Sequence, residues 1–134
     1  MVVWGGREDQ VIFNNGARYD PVADTWTAMS TVGAAFARYG PATVWTGSRV
    51  GLWGGFNWTV GGPLGTGGQY DPATDTWTAM SNAGAPSARY GASAIWTGSA
   101  MVVWGGQTAD NGAGFNTGGR YDPATDTWTA TSIV

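Results

Sequence analysis

Tyr70-Asp71-Pro72-Ala73-Thr74-Asp75-Thr76-Trp77 is the stretch from which the fold can be read, because its landmarks occur three times. Tyr-Asp-Pro stands at Tyr19-Asp20-Pro21, Tyr70-Asp71-Pro72 and Tyr121-Asp122-Pro123, and Asp-Thr-Trp at Asp24-Thr25-Trp26, Asp75-Thr76-Trp77 and Asp126-Thr127-Trp128, each copy 51 residues after the last. Other landmarks keep the same step. Ala37-Arg38-Tyr39-Gly40 matches Ala88-Arg89-Tyr90-Gly91, Trp45-Thr46-Gly47-Ser48 matches Trp96-Thr97-Gly98-Ser99, and Trp53-Gly54-Gly55 matches Trp104-Gly105-Gly106. Residues 17–55 and 68–106 agree at 23 of 39 positions, and Met1–Gly6 is identical to Met101–Gly106. A period of this size marks a repeat architecture, in which one structural unit recurs and each copy packs against its neighbours.

Within a unit the sequence predicts four short extended segments, in the middle copy roughly Ala42–Trp45, Val50–Gly55, Gly67–Tyr70 and Thr76–Ala79. Each is rich in Val, Ile, Thr, Trp or Tyr and is bounded by turn residues. Thr46-Gly47-Ser48 is a tight hairpin signal. Asp71-Pro72-Ala73-Thr74-Asp75 puts Pro at the second turn position and Asp where its carboxylate meets nearby backbone N–H groups. No helix fits between these segments, so the fold class is all-β, and four antiparallel strands per 51 residues is the pattern of a β-propeller blade. A Trp followed by two Gly, then a Tyr in the third strand and a Trp in the fourth, resembles the kelch repeat over essentially the whole chain. The resemblance implies a first strand that lines a central channel, an outermost Trp strand, and a Gly pair that ends the second strand. On this reading residues 1–134 are one domain: blade 1 spans 1–29 without its innermost strand, blade 2 spans 41–80 and blade 3 spans 92–131.

Kelch propellers close with about six blades, and propellers generally with four to eight, whereas this chain holds eleven predicted blade strands. An isolated arc would leave two apolar, Trp-rich flanks uncovered. The expected partner is therefore a second copy of the chain. Two copies related by a twofold axis bring 22 strands towards the 24 of a six-bladed ring, with a gap or a domain-swapped repair at each inner edge. A trimer, with 33 strands, would approach eight blades.

Composition removes many chemistries. The 134 residues include 23 Gly and 9 Trp but no Cys, no His and no Lys, the six cations all being Arg. Cys/His zinc sites, thiol chemistry, His-based acid/base or nucleophile activation and Lys Schiff bases lack their atoms. A net charge of −3 and a pI near 4.4 argue against phosphate-backbone binding, which depends on clustered cations. The first residues, MVVWGGREDQ, contain no basic-then-apolar leader and no run of 18 apolar residues occurs, so neither a signal peptide nor a membrane span is predicted. Compartment is left open.

The remaining candidates are weighed by periodicity. Eight of the nine Trp lie at repeat-fixed positions, as expected for packing between blades, and only Trp58 falls off the period. The paired acids Asp20/Asp24, Asp71/Asp75 and Asp122/Asp126 recur in three turns and suit turn capping better than a catalytic pair, which is needed once and in unequal environments. Glu8, Asp9 and Asp110 are scattered, and no calcium-loop pattern occurs, so no metal or other cofactor is expected. In a meander, alternate links leave by the same face. One face then carries only short turns, and the other carries the long unlike loops Arg7–Gly16, Phe56–Thr66 and Gln107–Thr117 together with Arg38-Tyr39 and Arg89-Tyr90. Variable loops on a rigid scaffold are where binding resides.

The kelch resemblance implies that Arg38 and Arg89 reach a channel-mouth pocket in peptide-binding members, while the same arginines are suited to bridging blades through backbone carbonyls or turn carboxylates. The expected ligand-binding residues are Arg38, Tyr39, Arg89, Tyr90, Phe56 and Trp58. A His that similar bacterial repeats carry after Arg-Tyr-Gly is replaced by Pro41 and Ala92. Copper or iron centres of catalytic members, which use His, cannot be assembled. The expectation is a non-catalytic, self-assembling propeller fragment acting as a scaffold or recognition module towards a peptide or glycan. Two alternatives are a lectin-like propeller using Phe56 and Trp58, and a sialic-acid-mutarotase-like isomerase in which Arg38 and Arg89 hold an anionic sugar but no general base is present.

Overall fold

The computed structural model describes residues 1–108 and 112–132. Asp110 and part of the 107–117 loop singled out above lie outside the described residues. The protein is all-β, and no α-helix occurs among the described residues. β1 (Val2–Trp4) runs through a small ribbon of β2 (Arg7–Glu8) and β3 (Val11–Ile12) into β4 (Gly16–Asp20) and β5 (Thr25–Ala28). β6 (Ala42–Trp45) and β7 (Val50–Trp53) are followed by the ribbon β8 (Phe56–Asn57) and β9 (Gly62–Pro63), which encloses a 3₁₀ turn at Trp58–Val60. Then come β10 (Gly67–Asp71), β11 (Thr76–Ala79), β12 (Ser93–Trp96), β13 (Met101–Trp104), β14 (Gly118–Asp122) and β15 (Thr127–Ala130).

These make three antiparallel meanders, ordered β1-β4-β5, β6-β7-β10-β11 and β12-β13-β14-β15. The second strand stops at Trp53 rather than running to Gly55 as the sequence suggested. Gly54 and Gly55 adopt φ of 74° and 98°, a left-handed pair that leaves the ladder. The third strand extends one residue further, since Asp71 pairs with Thr76. Each Asp-Pro turn is closed by its own carboxylates. Asp20, Asp71 and Asp122 accept the N–H of Val22, Ala73 and Ala124 at 2.8, 2.9 and 2.9 Å. Asp24, Asp75 and Asp126 sit at φ of 54°, 55° and 53°, the left-handed conformation that Asp tolerates, and take the hydroxyls of Tyr19, Tyr70 and Tyr121 at 2.8, 2.7 and 2.7 Å.

The sheets stack face to face around two cores. Trp77 of the second sheet lies on Trp4 of the first at 5.2 Å, and Trp128 of the third lies on Trp53 of the second at 5.4 Å. Leu52 and Tyr70 fill the first core, and Trp53, Met101, Val103 and Tyr121 fill the second. The same two polar contacts recur at both seams. The Trp77 indole donates to the Ser30 carbonyl at 3.0 Å and Ser30 N–H donates to Asp75 at 3.0 Å; one repeat later Trp128 donates to Ser81 at 2.9 Å and Ser81 to Asp126 at 2.8 Å. The second Asp of the second and third turns, Asp75 and Asp126, is thus a link between sheets as well as a cap. Among the described residues no helix is long and apolar enough to cross a membrane.

Candidate functional site

The link from one sheet to the next ends in Arg-Tyr, and it is locked at both ends. The Arg38 carbonyl accepts Gly6 N–H of the first sheet at 3.0 Å, and the Arg89 carbonyl accepts Gly55 N–H of the second at 2.9 Å. A Cβ on Gly54 would lie 2.5 Å from the Arg89 carbonyl oxygen, so the close approach itself requires glycine. The side chains point the other way. Arg38 Nη1 donates to the carbonyls of Gly54 and Thr66 at 2.8 and 2.6 Å, Nη2 to the Thr66 hydroxyl at 3.1 Å and Nε to Phe36 O at 2.8 Å. Arg89 repeats the set on Gly105, Thr117 and Ser87, with its guanidinium 4.0 Å from the centre of the Phe115 ring.

Each Arg therefore joins the sheet before it, through its carbonyl, to the sheet after it, through its guanidinium. Both are 1% exposed. Burial lowers the Arg38 guanidinium to about 10, a value at which it stays cationic at neutral pH, and pulls Arg89 down in the same direction.

The tyrosines that follow carry the rim. Tyr39 exchanges backbone hydrogen bonds with Phe56 at 3.1 and 2.8 Å, and Tyr90 with Gln107 at 3.1 and 3.0 Å. Their rings form one cluster with the second loop: Tyr39 lies 5.5 Å from Phe56, 5.6 Å from Trp58 and 6.2 Å from Tyr90, and Phe56 meets Tyr90 edge-on at 5.0 Å. These are separations at which aromatic pairs attract beyond their buried area. Trp58 donates its indole N–H to Gln10 O at 3.0 Å, so the loops of neighbouring sheets touch. Asn57 holds the 3₁₀ turn by capping Thr59 and by donating to Ala37 O at 2.6 Å.

The six residues expected to bind ligand are thus gathered at one end of the stack, but in two layers. Tyr39, Phe56 and Trp58 are half-buried, while Tyr90, 7% exposed, is buried as Arg38 and Arg89 are, both guanidiniums being bonded to main chain. Two residues were not singled out in the sequence. Arg7 stacks its guanidinium 4.9 Å over Tyr39 and 6.0 Å from Trp58, a cation–π arrangement, and Gln107 donates to the Tyr90 hydroxyl at 2.8 Å. The signal for both lay in the repeat. Arg7, Phe56 and Gln107 each follow a Trp-Gly-Gly, a frame position whose occupant changes while the frame does not.

Two grooves open elsewhere. One, of about 690 Å³, runs between β1 and the β6–β7 hairpin, and a second, of about 510 Å³, lies on the open side of the first sheet against Val3, Phe13 and Trp26. Among the described residues no group of three or more His, Cys, Asp or Glu is gathered to hold a metal ion. No family model matches the chain, and no curated protein matches it.

Proposed function

We infer that the three sheets are kelch-type propeller blades and that the protein is a non-catalytic, self-assembling recognition module, two copies stacking flank to flank into a ring. The observation that carries this reading is the pair of open flanks, each the complement of the other. On one flank Trp26 is 54% exposed, whereas its repeat counterparts Trp77 and Trp128 are 9% and 6% exposed. On the other flank Trp104 is exposed, while its counterparts Trp4 and Trp53 carry Trp77 and Trp128. A second copy supplies the missing partner in each case. Its Trp26 takes up on Trp104 the place that Trp128 takes on Trp53, with the indole N–H on Ser132 O.

A third position agrees. Arg18 of the first sheet donates to Pro72 O of the second, and Arg120, the equivalent residue of the third sheet, is exposed; in the ring its acceptor is the Pro21 carbonyl of the incoming copy. Flanks of this kind are what repeat arrays cap or pair.

The recognition surface in this reading is the half-buried aromatic rim of Tyr39, Phe56 and Trp58 with Arg7, backed by the buried Tyr90. The rim suits a ligand with a ring or an extended apolar edge and an acidic group for Arg7. An isomerase acting on an anionic sugar finds less support, because the two buried guanidiniums already donate to main-chain oxygens.

Light scattering during size exclusion tests the assembly. The expected mass is twice 13.9 kDa. A mass of one chain at every concentration up to the solubility limit would overturn the reading.

A further inference from the structure

Asn15-Gly16, where β4 begins, differs from its repeat counterparts in one chemical respect. Thr66-Gly67 and Thr117-Gly118 hold the same place in the second and third sheets. All three glycines are required, because a Cβ on Gly16, Gly67 or Gly118 would run into the carbonyl oxygen of Val3, Leu52 or Val103 across the ladder. In each copy the residue before the glycine accepts a main-chain bond through its carbonyl, Asn15 from Gly5 N–H at 2.9 Å, Thr66 from Gly54 at 3.0 Å and Thr117 from Gly105 at 3.1 Å. Of the three, Asn15 alone carries a side-chain amide. The main-chain amide that follows it is open to reaction. Gly16 lies opposite Trp4 in a pair that exchanges no main-chain bonds, since these join Met1 to Tyr19 and Gly5 to Asn15 and alternate between. Towards β5 the Gly16 carbonyl accepts Met29 N–H at 3.0 Å, whereas the Gly16 N–H meets no acceptor among the described residues. Asn15 is exposed, and so is Thr66, although the first sheet lies against its own. Exposure at this position therefore does not depend on an open flank.

We propose that Asn15 is a site of spontaneous covalent modification, deamidation through a cyclic imide with Gly16. The Gly16 nitrogen, having given its proton to hydroxide, attacks Asn15 Cγ. The N–Cγ bond forms, the Cγ–Nδ2 bond breaks, and ammonia leaves with a proton taken from water. Water then opens the imide at either carbonyl and leaves aspartate or isoaspartate at position 15. The packing that forces glycine at position 16 is also what leaves the attacking nitrogen without a neighbouring side chain to shield it. Both products add a negative charge to a chain of net charge −3, but they differ in backbone. Aspartate keeps the carbonyl that Gly5 uses. Isoaspartate routes the chain through the former side chain, adds a methylene ahead of Gly16 and turns that carbonyl into a free carboxylate. The Gly5 bond to β4 is then lost, beside Gly6, whose N–H holds the Arg38 carbonyl at 3.0 Å. The modification thus loosens the first sheet at the place where the link to the second is tied.

The experiment ages the folded protein at neutral and mildly alkaline pH in water enriched in heavy oxygen, then cuts it with trypsin, which releases residues 8–18 apart from the other Asn-Gly pair, Asn111-Gly112. Mass spectrometry of that peptide is expected to find heavy oxygen entering at Asn15 in both product forms, at a rate that rises with hydroxide. The rate should lie within about tenfold of that of the free peptide 8–18, because opening at a strand end costs little. Asn14, whose following residue carries a side chain, stays unchanged over the same period. Asn15→Thr, which installs the residue of the other two repeats, abolishes the signal with native tryptophan fluorescence kept. Hydrogen exchange reads the consequence: the Gly5 amide exchanges about tenfold or more faster in the isolated isoaspartyl form, and at the unmodified rate in Asn15→Asp, which carries the charge without the methylene. An Asn15 that stays intact in the folded protein while the free peptide converts, a product without heavy oxygen, or a Gly5 amide equally protected in every form overturns the proposal.

Discussion

Met1–Gly6 and Met101–Gly106 are the same six residues, and they bury opposite faces. Met101 and Val103 are 1% and 0% exposed because the second sheet covers them, whereas Met1 and Val3 are 66% and 49% exposed. The tryptophans reverse the order: Trp4 is covered by Trp77, and Trp104 stands open. Local sequence is identical, so the difference comes wholly from which neighbour is present. In a stacked repeat, stability is a sum of terms within each unit and terms at each seam, and this chain holds two seams and leaves the outer faces of its first and third sheets open.

The largest expected effect sets the same substitution in the two copies of the string. Val103→Asp places a carboxylate with no cation beside it in the core between the second and third sheets, and should cost about 4 kcal/mol, enough to unfold a domain of ordinary stability. Val3→Asp should cost the isolated chain less than about 1 kcal/mol, because the position faces solvent, yet return the solution mass from twice 13.9 kDa to a single chain. Urea melts and light scattering of the two variants read the two outcomes. Equal destabilisation by both would break the comparison and mean that Val3 is covered within one chain.

Acidification probes the polar part of the seams. Ser30 N–H, and then the Tyr70 hydroxyl, hold the Asp75 carboxyl below its usual range, and Ser81 N–H with Tyr121 does the same for Asp126. A carboxylate depressed in the folded state adds stability that is complete above the unfolded aspartate value of about 4 and is lost as pH falls through the folded value. The tyrosines have the opposite sense. Burial, and then the bond to Asp75, pushes Tyr70 up to about 12, and burial with Asp126 raises Tyr121, so their contribution is present below the unfolded tyrosine value of about 10 and is lost above it. Melting temperature should therefore be level between these limits and fall on both sides. Asp75→Asn with Asp126→Asn should flatten the acid limb, and an acid limb unchanged in the double variant would remove these carboxylates from the seam.

The repeat period, the four-strand meander and the packing of Trp4, Trp53, Trp77 and Trp128 could be read from the chain, because each depends on residue types that recur at a fixed step, whereas Trp26, Trp45 and Trp104, periodic too, stand exposed. Ala42–Trp45 and Thr76–Ala79 run as expected, since β-branched and aromatic residues between turn formers leave little choice. Two things could not be read. One was the choice between the two destinations the sequence offered for the Arg38 and Arg89 side chains, a ligand or backbone carbonyls: the left-handed Gly54-Gly55 and Gly105-Gly106 turns bring the Gly54 and Gly105 carbonyls within reach, and the arginines bridge through them. The other was Arg7, whose role depends on the ring of Tyr39, which is distant in sequence and supplied by the next sheet. Periodicity marks what is shared, whereas a binding rim is made of what differs within the shared frame.

The smallest effects separate what each tryptophan does at a seam. Trp77→Phe and Trp128→Phe each lose an indole bond to a serine carbonyl of the preceding link and leave that carbonyl without its donor, which should cost about 1–2 kcal/mol. The indole N–H of Trp53 is buried with no acceptor. Trp53→Phe therefore removes an unsatisfied donor along with some packing, and the two partly offset, so the cost should fall below about 1 kcal/mol. Trp26→Phe should be silent in the isolated chain, within about 0.5 kcal/mol, because no sheet lies across from it. At concentrations where two copies associate, Trp26 acquires the seam that Trp77 and Trp128 already have, and its substitution should then cost what theirs cost. The measurement is the urea midpoint of all four variants at low and high protein concentration. A Trp26→Phe midpoint that tracks wild type at both concentrations would mean that this indole meets no second copy, while one that separates only at the higher concentration would identify Trp26 as half of the third seam.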